Sequence, residues 1–373
     1  MTLHILHTAD WQIGKGFGQI PGDDGAALRN QRLETVSALA ELAREEAVDA
    51  VLVAGDVFDA QSVGDRTIRQ VFERLRAFPG PWVLLPGNHD AAVAESVWDR
   101  AEHLGAVPEH VHLATAPAPV RLDEAGLAVL PGPLQRRHEP ADVTAWFDEA
   151  EIPAGYTPVG LAHGSVTGFL PAEADAANPI AHDRATTAGL AYLALGDWHG
   201  TLQVNERTWY AGTPETDRFT STNPGHALLV TLPDDGGAPT VATRATTRYR
   251  WHSLSQTLHE SADVTALADR LAALGEPAPD QVVDLTLHGA LTLDDKAALD
   301  ETIESWRGRL RHLRVDDTEL TTRATEADLA ALNGAGFVAT AAERLRQGAE
   351  AGEGADATAL EMLVAAYRRH GEG

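Results

Sequence analysis

Over residues 3–232, short runs rich in Leu, Val and Ile alternate with stretches where apolar residues recur at helical spacing. The short runs predict strands at 3–8, 50–54, 82–85, 159–162 and 191–195, because continuous apolar runs bounded by turn residues suit buried strands. Between them, 28–47 sets Leu28, Leu39, Leu42 and Ala43 near one helical face, and 68–75 repeats that spacing. The alternation is that of a layered α/β domain. Each predicted strand runs into polar residues: Asp10, then Asp56, then Asn88 and His89, then His163, then Asp197 and His199. In layered α/β proteins ligand-binding groups gather at the carboxyl ends of strands, so five strand ends would deliver these side chains to one crevice.

The pattern shortens to hairpin spacing over 202–232 and changes near Tyr249. Helical periods at 264–274 and 294–306 and alternating segments at 282–287 and 310–315 predict a small α+β unit. Beyond about Thr321 the chain is rich in Ala and helix-prone. Thr325 and Asp328 are spaced as a capping box, 352–354 reads as a break, and a last helix is expected at 357–369. The expected division is 1–248, 249–320 and a helical tail at 321–373.

Composition narrows the chemistry. The 373 residues contain no Cys, which removes thiolate zinc sites and cysteine nucleophiles and leaves His, Asp, Glu and Asn as metal ligands. Lys and Arg number 29 against 55 Asp and Glu, a net charge of −26, which repels a polyanion unless basic residues cluster or metal ions offset the carboxylates. No apolar run reaches the length of a bilayer span, and no charged leader precedes the first strand; no membrane association and a cytoplasmic location are expected.

One Asp at a strand end is ordinarily a cap or a turn former. Carboxylate, amide and imidazole groups at five strand ends can together surround two divalent ions with one shared carboxylate, a geometry that holds a phosphate and activates water. The order Asp10, Gly55-Asp56, Gly87-Asn88-His89-Asp90, His163, Gly196-Asp197-Trp198-His199 resembles the calcineurin-type metallophosphoesterases, with their D-x-H, G-D, G-N-H-D, lone His and G-H-x-H motifs. His7-Thr8-Ala9-Asp10-Trp11, Ala54-Gly55-Asp56-Val57-Phe58-Asp59 and Tyr210-Ala211-Gly212-Thr213-Pro214-Glu215 narrow the likeness to SbcD-like DNA exonucleases, over about residues 1–320.

That resemblance implies an αββα layered nuclease domain, a small α+β capping domain and a helical tail that docks an SMC-like ATPase. It implies a first ion held by Asp10, Gln12, Asp56 and His199, and a second held by Asp56, Asn88, His163 and Asp197. His89 would stand beside the scissile phosphate as proton donor, its ring oriented by Asp90. It further implies DNA as substrate, an SbcC-like ATPase partner and a homodimer. Gln12 and Asp197 depart from the pattern, since each stands where the family has His. They move the donor set from nitrogen toward oxygen, which favours Mn²⁺ or Mg²⁺ over zinc and makes the first ion the more weakly held. They also keep open a metal-poor regulatory scaffold for the ATPase, while the acidic balance keeps open a phosphodiesterase for nucleotides or other small phosphates.

The remaining candidates divide between ordinary and functional roles. His4 and His7 read as hydrogen-bonded strand residues, and Asp59 as a cap of the next helix or a support of the Asp56 turn. Gly14-Lys15-Gly16 lacks phosphate-loop spacing and reads as an active-site loop in which Lys15 reaches substrate. Arg307, Arg309, Arg311 and Arg314 form the densest basic cluster, either a solvated face or a phosphate-contacting edge led by Arg309 and Arg311. Trp98, Trp146 and Trp251 read as packing, Trp11 and Trp198 as pocket walls. Leu329, Leu332, Leu345, Leu360, Leu363 and Val364 either pack within the tail or face the partner.

Overall fold

The computed structural model describes residues 2–169, 177–219, 222–323, 325, 336–351 and 354–371. Two compact units, Met1–Tyr249 and Arg250–Gly373, make up the chain.

The strands of the first unit are β1 (Leu3–Thr8), β2 (Ala50–Val53), β3 (Trp82–Leu84), β4 (Val111–Leu113), β5 (Val120–Leu122), β6 (Leu127–Gly132), β7 (Thr157–His163), β8 (Ser165–Val166), β9 (Pro179–Ile180), β10 (Tyr192–Gly196), β11 (Leu202–Asn205), β12 (Thr208–Tyr210), β13 (His226–Leu232) and β14 (Thr240–Ala245). Its helices are α1 (Gly22–Glu45), α2 (Asp65–Leu75), α3 (Val97–His103) and α4 (Arg184–Thr187). One sheet runs β14-β13-β1-β2-β3-β4 and a second runs β11-β12-β10-β7-β6-β5.

Period-two alternation sorts the side chains into layers. Ile5, Leu52, Val83, Leu228 and Val230 from the first sheet meet Val129, Val159, Leu161, Tyr192 and Ala194 from the second in one core. On the outer face of the first sheet, Leu6, Val51, Val53 and Leu84 pack under Val36 and Leu39 of α1, Ile68, Val71 and Phe72 of α2, and Trp98 of α3. Leu130, Ala162, Leu193 and Leu195 cover the outer face of the second with Phe147, Ala185 and Leu190. The αββα layering is thus present, and all five predicted strands are found. Trp11 belongs to the core instead of a pocket wall: it is buried, donates to Thr8 Oγ1 at 3.0 Å and meets Trp82 edge-on.

The second unit is two successive β-α-β crossovers: β15 (Arg250–Leu258), α5 (Ser261–Ala272), β16 (Gln281–Thr292), α6 (Leu293–Arg307) and β17 (His312–Arg323), with all three strands parallel. Leu258, Leu267, Leu285, Leu299, Ile303 and Leu313 fill its core. β17 continues well past the 310–315 segment expected from alternation. The tail forms α7 (Phe337–Glu350) and α8 (Gly354–Gly371). Leu345, Leu360, Leu363 and Val364 pack between these helices and against Leu293, the intramolecular reading of the tail apolar residues. Gly354 begins α8 instead of lying in a break; Gly352, Asp328, Leu329 and Leu332 lie outside the described residues. None of the described helices is long and apolar enough to cross a membrane.

His7 is a buried structural histidine, as its strand position suggests. Its Nδ1 accepts from the Tyr192 hydroxyl at 2.9 Å and its Nε2 donates to the Leu195 carbonyl at 3.2 Å, which fixes the neutral ring. Burial holds it at about 3 instead of 6.5, the Leu195 carbonyl offsetting little of this. The folded state therefore resists the proton that the unfolded chain accepts. Stability from this group is complete above pH 6.5 and is lost as pH falls toward about 3. Urea unfolding should lose about 2 kcal/mol more between pH 6.5 and about pH 5 in the natural chain than in His7→Gln. Parallel pH profiles for the two proteins would show that His7 carries no such linkage.

Candidate metal centre

Asp10 leaves β1 and Asp56 leaves β2 in the left-handed region, at φ 54° each, and Gln12 at 43°. Side chains seldom adopt this conformation, so neighbouring contacts must hold it. Asp10 N donates to Gly55 O at 3.0 Å, Gln12 N to Asp56 O at 2.8 Å and Ile13 N to Val57 O at 2.9 Å, lacing the two loops together. Buried Arg32 of α1 donates to the carbonyls of Asp10, Trp11 and Glu215 and to Thr213 Oγ1. Gly55 and Gly87 are required by close approach. A Cβ on Gly55 would stand 2.3 Å from His163 Nδ1, and one on Gly87 would stand 2.2 Å from Asp56 Oδ1.

Donor atoms of Asp10, Asp56 and His163 lie within 4.8 Å of one another, all buried. Asp197 joins them from the end of β10: its N–H points to both Asp10 carboxylate oxygens at 3.2 and 3.3 Å, and its Oδ2 accepts from Ser165 Oγ at 3.1 Å. His163 donates Nδ1–H to the Ala54 carbonyl at 2.9 Å, which makes Nε2 the nitrogen that can ligate a cation in exchange for its proton. That Nε2 is 3.6 Å from Asp56 Oδ1 and 3.6 Å from Asp197 Oδ1. Asn88 Nδ2 donates to Asp197 Oδ1 at 3.4 Å. Two buried atoms here, Asn88 Oδ1 and His163 Nε2, have no hydrogen-bond partner. Buried polar atoms without a hydrogen-bond partner are costly, and a cation contacting both removes the cost.

The electrostatics show the same need. Burial, reinforced by Asp56 and Asp197, raises Asp10 to about 6 against the pull of His199 and His163. Burial and Asp56 raise Asp90 to about 8. Burial also raises Asp197. Burial alone would lower His163, but Asp56, Asp197 and Asp10 outweigh it and carry it up to about 9. Four carboxylates held this close without a compensating cation repel one another.

His89 is placed beside this cluster. Its backbone N–H donates to Asp56 Oδ1 at 2.9 Å, and ring Nε2 stands 4.0 Å from Asp56 Oδ2. Asp90, expected to orient the ring, does not: its buried carboxylate accepts from Phe58 N at 3.0 Å and Gly87 N at 2.7 Å. The ring is held instead by the Asp59 carbonyl, 2.8 Å from Nδ1. Asp59 accordingly caps no helix, since α2 begins at Asp65 behind Gly64.

The group expected to hold a first ion is arranged differently. Lys15 donates to Gln12 Oε1 at 3.0 Å and pairs with buried Asp217. With Oε1 so engaged, Gln12 Nε2 donates to His199 Nε2 at 3.2 Å. His199 Nδ1 faces Asp217 Oδ2 at 3.6 Å, with Arg218 Nη2 3.1 Å away. Asp56, Asn88, His163 and Asp197 therefore fit a hard divalent cation, with one imidazole, one amide oxygen and two carboxylates. Gln12 and His199 do not, because the atoms they would offer are bonded to each other and to Lys15. Arg32, Glu215 and Asp217 gave no sequence signal beyond, for Glu215, its place in the Tyr210–Glu215 run.

Arg309 and Arg311 belong to the second unit. Arg309 lies over the Trp306 ring, 4.2 Å from its centroid, Arg307 pairs with Glu304, and Arg314 Nε donates to Asp284 at 2.7 Å. Part of the basic cluster is therefore neutralised within its own unit.

Residues 3–231 match the family described as calcineurin-like phosphoesterase. The SbcD component of the SbcCD nuclease of Bacillus subtilis is 26% identical over 269 residues, covering 62% of this chain and 66% of that protein. The corresponding SbcCD nuclease component of Rhodobacter capsulatus is 37% identical over 95 residues, 24% of this chain and 22% of that protein. An uncharacterized metallophosphoesterase, YhaO of Bacillus subtilis, is 26% identical over 207 residues, 53% of this chain and 48% of that protein. The matched stretch is thus less than two thirds of each relative's length. With the family match spanning well over half of the residues, and with the strand-end donors gathered as described, the chain belongs to the calcineurin-like phosphoesterase family.

Proposed function

We propose that this chain is a divalent-metal-dependent phosphodiesterase that cleaves DNA in repair, a 3′ to 5′ exonuclease with single-strand endonuclease capacity. In this reading it works in the cytoplasm, as a homodimer with an SMC-like, SbcC-like ATPase. The observation that carries the chemistry is the pair of orphaned buried atoms, Asn88 Oδ1 and His163 Nε2, on side chains that contact the Asp197 carboxylate, with Asp56 also 3.6 Å from His163 Nε2. The relatives named as components of the SbcCD nuclease support DNA as the substrate. The oxygen-rich donors favour Mn²⁺ or Mg²⁺ over zinc.

When bound, a divalent cation there polarises the phosphoryl oxygens and lowers the pKa of an attacking water toward neutrality. The residues do the rest. Asp56 fixes the backbone of His89, so the metal-ligating carboxylate and the imidazole move as one piece. The Asp59 carbonyl takes Nδ1–H, so it is the Nε2–H of the imidazolium that passes to the leaving 3′ or 5′ oxygen, the ring ending neutral with its proton on Nδ1. Asp90 holds the loop carrying Asn88 and His89 to that carrying Phe58.

Purified protein with manganese would be given labelled single- and double-stranded DNA and, separately, bis(p-nitrophenyl) phosphate. Metal-dependent shortening of DNA is expected. His89→Gln should lower kcat on DNA by about 10²–10⁴-fold with little change in KM. Cleavage of the chromogenic ester alone would transfer the assignment to small phosphates, which the charge of −26 would suit. Absence of turnover on both would sink the hydrolase reading.

A further inference from the structure

We propose that the Lys15 ammonium takes the place of one divalent ion, so that the centre holds a single metal, at Asp56, Asn88, His163 and Asp197. This deepens the phosphodiesterase reading and rests on it. Lys15 has donors only, so the Gln12 atom 3.0 Å from Nζ is the amide oxygen. The amide nitrogen must then face His199 Nε2 at 3.2 Å, and His199 must accept there. The other ring nitrogen, Nδ1, lies 3.1 Å from Arg218 Nη2 and 3.6 Å from Asp217 Oδ2, so both ring nitrogens have polar neighbours.

Each atom that Gln12 and His199 could turn to a metal is therefore already in a hydrogen bond. Neither residue has an orphaned buried atom, in contrast to Asn88 and His163. Lys15 cannot easily leave: Asp217 pairs with it, and the Asp217 side chain is 1% exposed. Arg218 pairs with the same carboxylate, so two cationic side chains border the place where an ion would contact Gln12. A divalent cation sits about 2.1 Å from a carbonyl ligand. At Gln12 Oε1 it would meet the ammonium as a close like charge.

The exchange keeps the function intelligible. A fixed ammonium supplies one positive charge without dissociating, and two of its three N–H groups are used by Gln12 and Asp217. The third is available to a phosphoryl oxygen, a donor aimed at developing negative charge. Gln at position 12 then has a physical role, since its carbonyl accepts the ammonium while its amide nitrogen faces His199.

Equilibrium dialysis of the full chain against Mn²⁺, with metal analysis and electron paramagnetic resonance, tests this. The unaltered chain is expected to bind one ion per chain with the six-line spectrum of isolated Mn²⁺. Lys15→Met should bind a second ion at least about tenfold more tightly and show a spin-coupled spectrum. Lys15→Met combined with Asp217→Asn removes both charges of the pair, leaves no unmatched buried carboxylate, and should also bind two. Two ions of similar affinity in the unaltered chain would overturn the proposal while leaving the phosphodiesterase reading intact. One ion in all three proteins would overturn it as well, because Lys15 would not be what excludes the second. No ion in the unaltered chain would overturn both.

Discussion

Asp56→Asn is expected to lower kcat on DNA by at least about 10³-fold while leaving the metal-free protein as stable as the natural chain or more so. The two effects have one origin. Asp56 raises the pKa of Asp10, Asp90 and Asp197, the signature of like charges gathered in a buried space. That crowding is tolerable when a cation is bound and unfavourable when it is not. Asn retains an oxygen to accept the His89 N–H, now 2.9 Å from Asp56 Oδ1, so the loop keeps its anchor. What disappears is the charge that draws the ion. Thermal melting in chelator should show a Tm equal to or above that of the natural chain, whereas Mn²⁺ should stabilise the natural chain and not the variant. A variant with lowered Tm in chelator would mean that Asp56 serves the fold before it serves the metal. A variant with near-normal kcat would remove Asp56 from the mechanism.

Arg32→Met should cost about 3–5 kcal/mol of stability, the usual loss when one member of a buried charged network is deleted. Arg32 is 2% exposed and donates to Trp11 O at 2.6 Å, Asp10 O at 3.0 Å, Glu215 O at 3.1 Å and Thr213 Oγ1 at 3.2 Å. Met fills similar volume but strands three carbonyls, two of them flanking or belonging to the strained Asp10–Gln12 turn. Glu215 holds the other side of that network through Thr35 Oγ1 at 2.9 Å and the N–H groups of Arg248 and Tyr249 at 3.0 Å each. Loss of Arg32 should therefore reach the centre as well as the fold, weakening Mn²⁺ binding because Asp10, whose carboxylate takes the Asp197 N–H, is no longer held at φ 54°. Urea unfolding gives the stability and calorimetry the affinity. A destabilisation under about 1 kcal/mol would show that water replaces the guanidinium, and the positioning role would fall.

The strand-end chemistry was readable because it depends on side-chain identity at turn positions. Five strands and the residues that follow them suffice to collect Asp10, Asp56, Asn88, His163 and Asp197. Several parts of the site have no such mark. The group that orients His89 is the Asp59 backbone carbonyl, which every residue type possesses, so the neighbouring Asp90 attracted a role that it does not fill. Arg32 sits in the middle of α1, where an arginine ordinarily reads as part of a solvated face. Lys15 and Asp217 are 202 positions apart, and their pairing exists only once β1 and the segment after β12 have come together. The edge strands β4 and β5 are short, and β14 and β15 mix exposed and half-buried positions, so neither pair forms an apolar run. Gln12 shows both sides of this. The departure from His was visible in the sequence, but its consequence needed the position of Lys15.

The claim beneath all of these is that Asn88 and His163 each offer an unpaired buried atom to a cation that Asp56 and Asp197 attract. Anomalous diffraction at the manganese edge, from crystals equilibrated with Mn²⁺, tests it most directly. The account predicts a peak about 2.2 Å from both Asn88 Oδ1 and His163 Nε2. A saturated crystal with no peak there, or with manganese bound only at other carboxylates, would contradict it.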